Sequence, residues 1–301
     1  KEKKWVGIGP FPVYYDKNGV YITDIFIDDQ HVTAVVDTGS AHLLVAGPNC
    51  TVCTQDNIQN GTIQPRNQPK SVNDIVQYGS QQDVVDWYEG EVCMGRSHKQ
   101  AEFALVQKRI GSSSYNVLGV GNVTYVSESG RPNFMSFFAP SQIVTIQLNG
   151  SSGSLWLGGK RSDHPPSQFM MPMEHPPFFR CMLHSFRCGD IQIPPTMLPR
   201  RGVIFDTGSN MLDLPTYIYN KIQPALEQNQ PIELMFPLVT NDGHTNLIRI
   251  RYQSNQYRWK NSSMLIVKGT DEKHIVLGSL FMNHLRMTFD PNSRTIGMSV
   301  V

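Results

Sequence analysis

The chain has 301 residues, 40% of them hydrophobic and 17% charged, with 26 basic side chains against 25 acidic ones. Charges that nearly cancel argue against a nucleic-acid or membrane-surface partner, and no run approaches the roughly 18–20 apolar residues of a membrane-spanning helix. The length suffices for two units of ordinary domain size, and 24 Gly with 20 Pro suit a turn-rich, mostly β chain.

The opening Lys1-Glu2-Lys3-Lys4 reads as a processed or truncated start, and no signal-peptide pattern accompanies it. Residues 20–27 read as a strand, and Asp28-Asp29-Gln30 as a polar turn. Residues 31–36 return as a strand that runs into Asp37-Thr38-Gly39-Ser40. Residues 41–45 are another short apolar strand. Residues 46–73, rich in Gly, Pro, Asn and Gln, are expected as surface loop. Over 74–88 two β-prone arms flank Tyr78-Gly79-Ser80, a hairpin pattern. Strands are expected at 91–94 and 101–107, followed by Val117-Leu118-Gly119. A short helix is predicted over 134–139 and strands over 143–148 and 155–157. The polar, Pro-paired stretch 158–172 reads as the boundary between an N-terminal unit, 1–165, and a C-terminal unit, 166–301. The β pattern resumes over 178–193. After Pro215, residues Ile218, Ile222 and Leu226 recur at helical spacing and predict a helix over 216–227. Strands at 232–238, 247–252, 264–267, 286–289 and 295–300 complete the reading.

Within this order one pattern occurs twice. Val35-Val36-Asp37-Thr38-Gly39-Ser40 returns as Ile204-Phe205-Asp206-Thr207-Gly208-Ser209, and Val117-Leu118-Gly119 returns as Val276-Leu277-Gly278. The duplication predicts two similar halves that each contribute one Asp to a shared site. Each Asp falls where a buried strand ends and the chain bends, an expensive place for a carboxylate unless something keeps it ionised or shares its proton. Two carboxyls within hydrogen-bond distance hold one proton between them. The charged member can take a proton from water while the other donates to a carbonyl oxygen, which is general acid–base chemistry without a metal or cofactor. Gly39 and Gly208 let the backbones approach. Ser40 and Ser209 are expected to bond the outer carboxyl oxygens, and Thr38 and Thr207 to bond across the halves.

In these motifs the sequence resembles the pepsin-like, two-lobed eukaryotic aspartic endopeptidases. The likeness includes Tyr78-Gly79-Ser80, Gly153-Ser154-Leu155-Trp156-Leu157-Gly158-Gly159, Val276-Leu277-Gly278-Ser279-Leu280-Phe281, Phe289-Asp290 and Ile296-Gly297. The resemblance implies an all-β bilobal fold with a few short helices. It implies catalytic Asp37 and Asp206, and a flap carrying Tyr78, Gly79 and Ser80 over a substrate groove that also involves Leu44 and Val117. It further implies polypeptide substrates cut beside hydrophobic residues, sensitivity to pepstatin-like inhibitors, no cofactor, and action as a monomer. A catalytically silent homologue that binds a peptide or partner protein in the same groove is the alternative. Leu44 stands where the family usually has a Trp supporting the flap Tyr, and Trp87 is the available substitute. Residues 1–4 read as a solvated terminus or as the remnant of a basic prosegment of a zymogen. Strongly acid-adapted members of that family tend to be rich in acidic residues, so beside the resemblance the near-neutral balance of this chain implies work in a mildly acidic compartment.

Five cysteines leave one unpaired at least. Cys50 and Cys53 are close enough for a tight bridge where the turn allows it, and Cys50 fits the family's first loop disulfide. Cys181 and Cys188 on one extended strand would face opposite sides and lie too far apart to bond. No second half-site accompanies the Cys-x-x-Cys, so a metal there is not expected. Sequons at Asn49, Asn60, Asn122, Asn149 and Asn261 point to the secretory pathway, and to a glycoprotein that is secreted or held in an endolysosomal or vacuolar compartment.

Overall fold

Alternation is what turns these residues into sheet. Along the strand Tyr21–Ile27 every second side chain is buried, namely Tyr21, Thr23, Ile25 and Ile27. It pairs antiparallel with Gln30–Asp37 through a turn whose Asp28 and Asp29 both have positive φ, 49° and 66°. Two such residues make the twist-compatible hairpin turn, and Asp tolerates that conformation better than most side chains. The computed structural model describes residues 9–17, 19–51, 53, 61–78, 81–111, 115–121, 130–175, 178–240, 244, 246–259, 263–269 and 272–301.

The architecture is mostly β. Among the described residues the largest sheet has thirteen strands, with further sheets of five, four and two. The duplicated motif sits in a duplicated arrangement. Gln30–Asp37 runs parallel to Asn116–Gly119, which runs antiparallel to Leu43–Thr51, with Asp37 opposite Gly119. In the second half Val203–Asp206 runs parallel to Ile275–Gly278, which runs antiparallel to Leu212–Leu214, with Asp206 opposite Gly278. Both Gly residues are demanded by packing. A Cβ on Gly119 would lie 2.7 Å from the His42 carbonyl oxygen, and one on Gly278 would lie 2.8 Å from the Asn210 carbonyl carbon.

The two halves share the largest sheet. Leu285–Asp290 from the second half pairs with Val144–Leu148 from the first, placing Thr288 opposite Thr145. Apolar side chains fill one continuous core across this seam, including the stacked rings of Phe179 and Phe289, 4.5 Å apart. A buried polar chain also crosses it. His164 Nε2 lies 2.6 Å from the Gly158 carbonyl oxygen, which can only accept, so that nitrogen carries the proton. Nδ1 therefore accepts from the Thr145 hydroxyl at 2.8 Å, and Thr145 accepts from Thr288 at 2.7 Å.

Several expected elements coincide with the structure: the helix Thr216–Glu227, the strands Leu247–Tyr252 and Thr295–Val300, and the short helix Phe134–Phe138. Others differ. The stretch 46–73 is not all surface loop, because Leu43–Thr51 continues as strand and Ile63 is fully buried. The first arm expected over 74–88 lies on Ser71–Tyr78, while the second arm and the strand expected at 91–94 are one strand, Gln81–Met94, whose inward residues alternate along most of its length. The segment expected at 264–267 breaks at Leu265 into Ser263–Met264 and Ile266–Lys268. Residues 1–4 lie outside the described residues.

Cys50 and Cys53 form a disulfide with Cα atoms 5.5 Å apart, while Cys93, Cys181 and Cys188 are free and buried. Cys181 and Cys188 do not share one strand. They lie on Arg180–Cys181 and Ser185–Cys188, which belong to different sheets. No helix among the described residues is long and apolar enough to cross a membrane.

The seam makes stability depend on pH. Burial, and secondarily the Arg161 charge, hold the pKa of His164 below its ordinary value near 6.5. A lowered folded-state pKa means the unfolded chain takes up the proton first. The contribution of His164 is therefore fully present above about pH 6.5 and is lost as pH falls through the folded value. Urea unfolding followed from pH 7 to 4 is expected to show falling stability, and a His164→Gln variant, which cannot charge, is expected to lose that share of the slope.

Candidate active site

Each motif Asp is the last residue of its strand, so strand pairing fixes its Cα and the Thr-Gly turn aims its side chain. The turns are self-capped alike. The Gly39 amide donates to Asp37 Oδ1 at 2.8 Å, and the Gly208 amide to Asp206 Oδ1 at 2.9 Å. The Asp37 carbonyl accepts from the Val120 amide at 2.9 Å, and Ser279 N–H donates to the Ser209 carbonyl at 2.7 Å, tying both turns to the strands behind them.

The two threonines lock the turns together. Thr38 N–H donates to Thr207 Oγ1, and Thr207 N–H donates to Thr38 Oγ1, each at 3.0 Å. Each hydroxyl then donates across the halves, Thr38 to the Phe205 carbonyl at 2.7 Å and Thr207 to the Val36 carbonyl at 2.6 Å. Thr38 and Thr207 have no exposed surface, so these bonds form where water cannot replace them.

The lock brings the carboxyls into hydrogen-bond contact. Asp206 is hydrogen-bonded to the Asp37 side chain. A Cβ built on Gly39 would lie 2.5 Å from the Asp206 carboxyl carbon, and one on Gly208 the same distance from that of Asp37. No residue but Gly fits either place. The Asp206 carboxyl is held well above the usual carboxylate range. Burial among protein atoms is the largest cause, followed by the charge of Asp37 and the bond to it, against which the amides of Gly208 and Ser209 pull down. The pair therefore holds a proton at Asp206 that a lone carboxylate would have lost.

The serines behave differently from what the sequence leads one to expect. Ser40 Oγ is buried with no hydrogen-bond partner among the described residues, and Ser209 Oγ accepts from the Met211 amide at 3.3 Å. Tyr78 ends the strand Ser71–Tyr78 and pairs with Gln81 across the hairpin, while Gly79 and Ser80 lie outside the described residues.

Leu44 and Val117 are directly paired and buried in a satellite cluster with Val76, Val85, Trp87, Ala104 and Val106, against which Cys50 and Cys53 pack. Trp87 thus shares a cluster with Leu44. Its ring meets His42 edge-on at 5.0 Å and carries the Arg131 guanidinium over it at 5.7 Å. His42 Nε2, Trp87 Nε1 and Glu102 Oε2 are all buried without a hydrogen-bond partner among the described residues. Burial lowers the His42 pKa to about 4, with Glu102 pulling the other way. A buried neutral His42 adds to the acid instability with the same sign as His164. The sequence reading passed over His42 because it sits inside an apolar run.

The hairpin has a buried ionic base. Arg109 contacts Asp83 through Nε at 3.1 Å and Nη2 at 3.0 Å, both side chains being almost fully buried, and Arg109 Nη1 donates to the Tyr115 carbonyl at 2.8 Å. Gln81 Nε2 also donates to Asp83 at 3.2 Å. Sequence reading missed this pair because its members are 26 positions apart and meet only through strand register.

The family model described as eukaryotic aspartyl protease matches residues 20–301. No curated protein matches the chain.

Replacing Thr207 by Val removes one acceptor and one donor and leaves Thr38 N–H and the Val36 carbonyl buried and unpaired. At about 1–3 kcal/mol for each orphaned group, a loss of about 2–6 kcal/mol is expected in urea unfolding. Arg109→Met strands the buried Asp83 charge and is expected to cost about 3–5 kcal/mol. Adding Asp83→Leu is expected to restore most of that loss in the same measurement.

Proposed function

Because the chain belongs to the eukaryotic aspartyl protease family, we propose that it is an endopeptidase in which Asp37 and Asp206 activate one water molecule between them. The observation that carries this reading is the hydrogen-bonded carboxyl pair with its raised Asp206, held by the crossed threonines. In the first step the ionised carboxylate of Asp37 takes a proton from the water as its oxygen attacks the peptide carbonyl carbon. Protonated Asp206 donates to the carbonyl oxygen, giving a neutral tetrahedral diol. Collapse returns one hydroxyl proton to Asp206. The proton held by Asp37 passes to the amide nitrogen, the C–N bond breaks, and a carboxylic acid and an amine leave. No covalent enzyme intermediate and no cofactor enters these steps.

Two lobes, 1–165 and 166–301, would each supply one Asp, with an extended peptide lying across them beneath the hairpin that carries Tyr78. A preference for hydrophobic residues beside the scissile bond is supported by two exposed side chains, Ile75 on that hairpin and Ile110 on the adjoining strand Ser97–Ile110, which register places on one face with exposed Gln77 and Lys108. A secretory route is supported by the Cys50–Cys53 disulfide and by exposed sequons at Asn49 and Asn149. The sequons at Asn60, Asn122 and Asn261 lie outside the described residues.

One observation favours a second reading, that of a silent peptide binder: Leu44 stands where the family resemblance implies a Trp. The two readings separate in one assay. The chain is expected to cleave an unfolded protein within pH 3–7, with cutting blocked by a pepstatin-like inhibitor and absent in Asp206→Ala and Asp37→Asn. Peptide bound at acid pH with no product at any pH would select the silent binder, and cutting that survives Asp206→Ala would remove both.

A further inference from the structure

At the end of the long hairpin opposite the Tyr78 tip, we infer a binding site for one borderline-soft divalent metal ion, of which zinc is the type, formed by Glu91, Cys93 and His98. The strands Gln81–Met94 and Ser97–Ile110 are joined there by Gly95-Arg96, Gly95 having φ +55°. Met94 pairs with Ser97 at the turn, and Cys93 pairs with His98 one step further in. Directly opposed residues of antiparallel strands point to the same face, and in the pair next to a two-residue turn the side chains come closest. Glu91, two residues before Cys93, shares that face.

The resulting donors converge. One ligand atom from each of the three residues lies within 4.8 Å of the others. Cys93 Sγ is 2.9 Å from His98 Nδ1, and that nitrogen is 3.7 Å from Glu91 Oε1. Around a tetrahedral zinc, metal–ligand distances near 2.0–2.3 Å put donor atoms about 3.5 Å apart. The three residues reach this with a small rotation of the exposed His98 ring. One thiolate, one imidazole and one carboxylate is a donor set that suits zinc or cobalt and not magnesium or calcium, and three protein ligands leave a fourth position for water.

A second feature points the same way. Behind Glu91, the buried Asp28 accepts from the Glu91 amide through Oδ1 at 2.9 Å, while its Oδ2 is buried with no hydrogen-bond partner among the described residues. Arg66 answers only Asp29, at 3.3 Å and on the surface. The disulfide at Cys50–Cys53 removes the other candidate thiolates of the sequence from metal chemistry, and Cys181 and Cys188 are buried without a neighbouring imidazole–carboxylate pair among the described residues. The site needs neither Asp37 nor Asp206, so it stands or falls apart from the proposed activity.

The test uses the whole chain, stripped with a chelator at neutral pH and titrated with Zn2+ against a chromophoric chelator. One Zn2+ per chain is expected. Loss of even an outer partner of a metal ligand costs about 10–100-fold in affinity, so His98→Ala and Cys93→Ala are each expected to weaken binding by about tenfold or more. Co2+ is expected to give a thiolate charge-transfer band that both variants abolish, and bound metal is expected to slow alkylation of Cys93. His98 is exposed, so His98→Ala tests the site even where Cys93→Ala does not fold. No binding, or binding equal in wild type and His98→Ala, overturns the proposal and leaves a thiol–imidazole hydrogen bond only.

Discussion

Four hydrogen bonds between Thr38 and Thr207 and the opposing backbones are the constraint on which the molecule turns. They join two segments that are 169 positions apart in the chain and bury every group they use. A carboxyl pair left to itself would separate, because two acidic groups in contact repel as soon as both ionise. Here the backbone of each turn is held by the other, and the side chains have no freedom to part. The raised proton affinity of Asp206 is the electrostatic expression of that mechanical constraint. The glycines are the other half of it, since any side chain at 39 or 208 would occupy the volume of the facing carboxyl.

The lock in turn depends on the sheet that joins the halves. Thr38 and Thr207 can cross only if the strands that carry them arrive at one level, and the pairing of Val144–Leu148 with Leu285–Asp290 sets that level. The seam is mostly hydrophobic, with Ile146, Met287 and Phe289 in one core, but its buried polar chain through Thr288, Thr145 and His164 pins the register. A one-residue slip would turn every inward side chain outward and would also break that chain. The neutral imidazole that this arrangement requires sets an acid limit on the stability of the fold.

Much of this was legible in the sequence, for a physical reason. Both halves of the site are local signals: a Val/Ile strand, an acidic turn, a Gly that admits close approach, all within six residues and present twice. The helix Thr216–Glu227 and the strand Thr295–Val300 were equally legible because their periodicity is complete within the segment. The stretch 46–73 was misread because its polar composition masks a strand continuing from Leu43 and one buried anchor, Ile63. The pairs Asp83 with Arg109 and Cys93 with His98 were invisible for a different reason. Each depends on the register of two long strands, and register is a property of the pair, not of either strand.

The hairpin of Gln81–Met94 and Ser97–Ile110 shows how one register can serve several tasks. From Gln82 to Met94 each residue is assigned a partner on the other strand by the turn at Gly95-Arg96, with Gln107 skipped at a single irregularity between Val84 and Val85. Near that turn the assignment sets Cys93 against His98. Midway it sets Trp87 against Ala104, beneath the Arg131 guanidinium and beside His42. Near the tip it sets Asp83 against Arg109, where both charges are buried and satisfied together. A buried ion pair adds little net stability over an apolar pair of the same size, but it penalises every arrangement that separates its members. Placed two residues from the Tyr78–Gln81 pair, it makes a slipped hairpin costly at that end of the strand. The ion pair thus contributes to the specificity of this strand pairing more than to its strength.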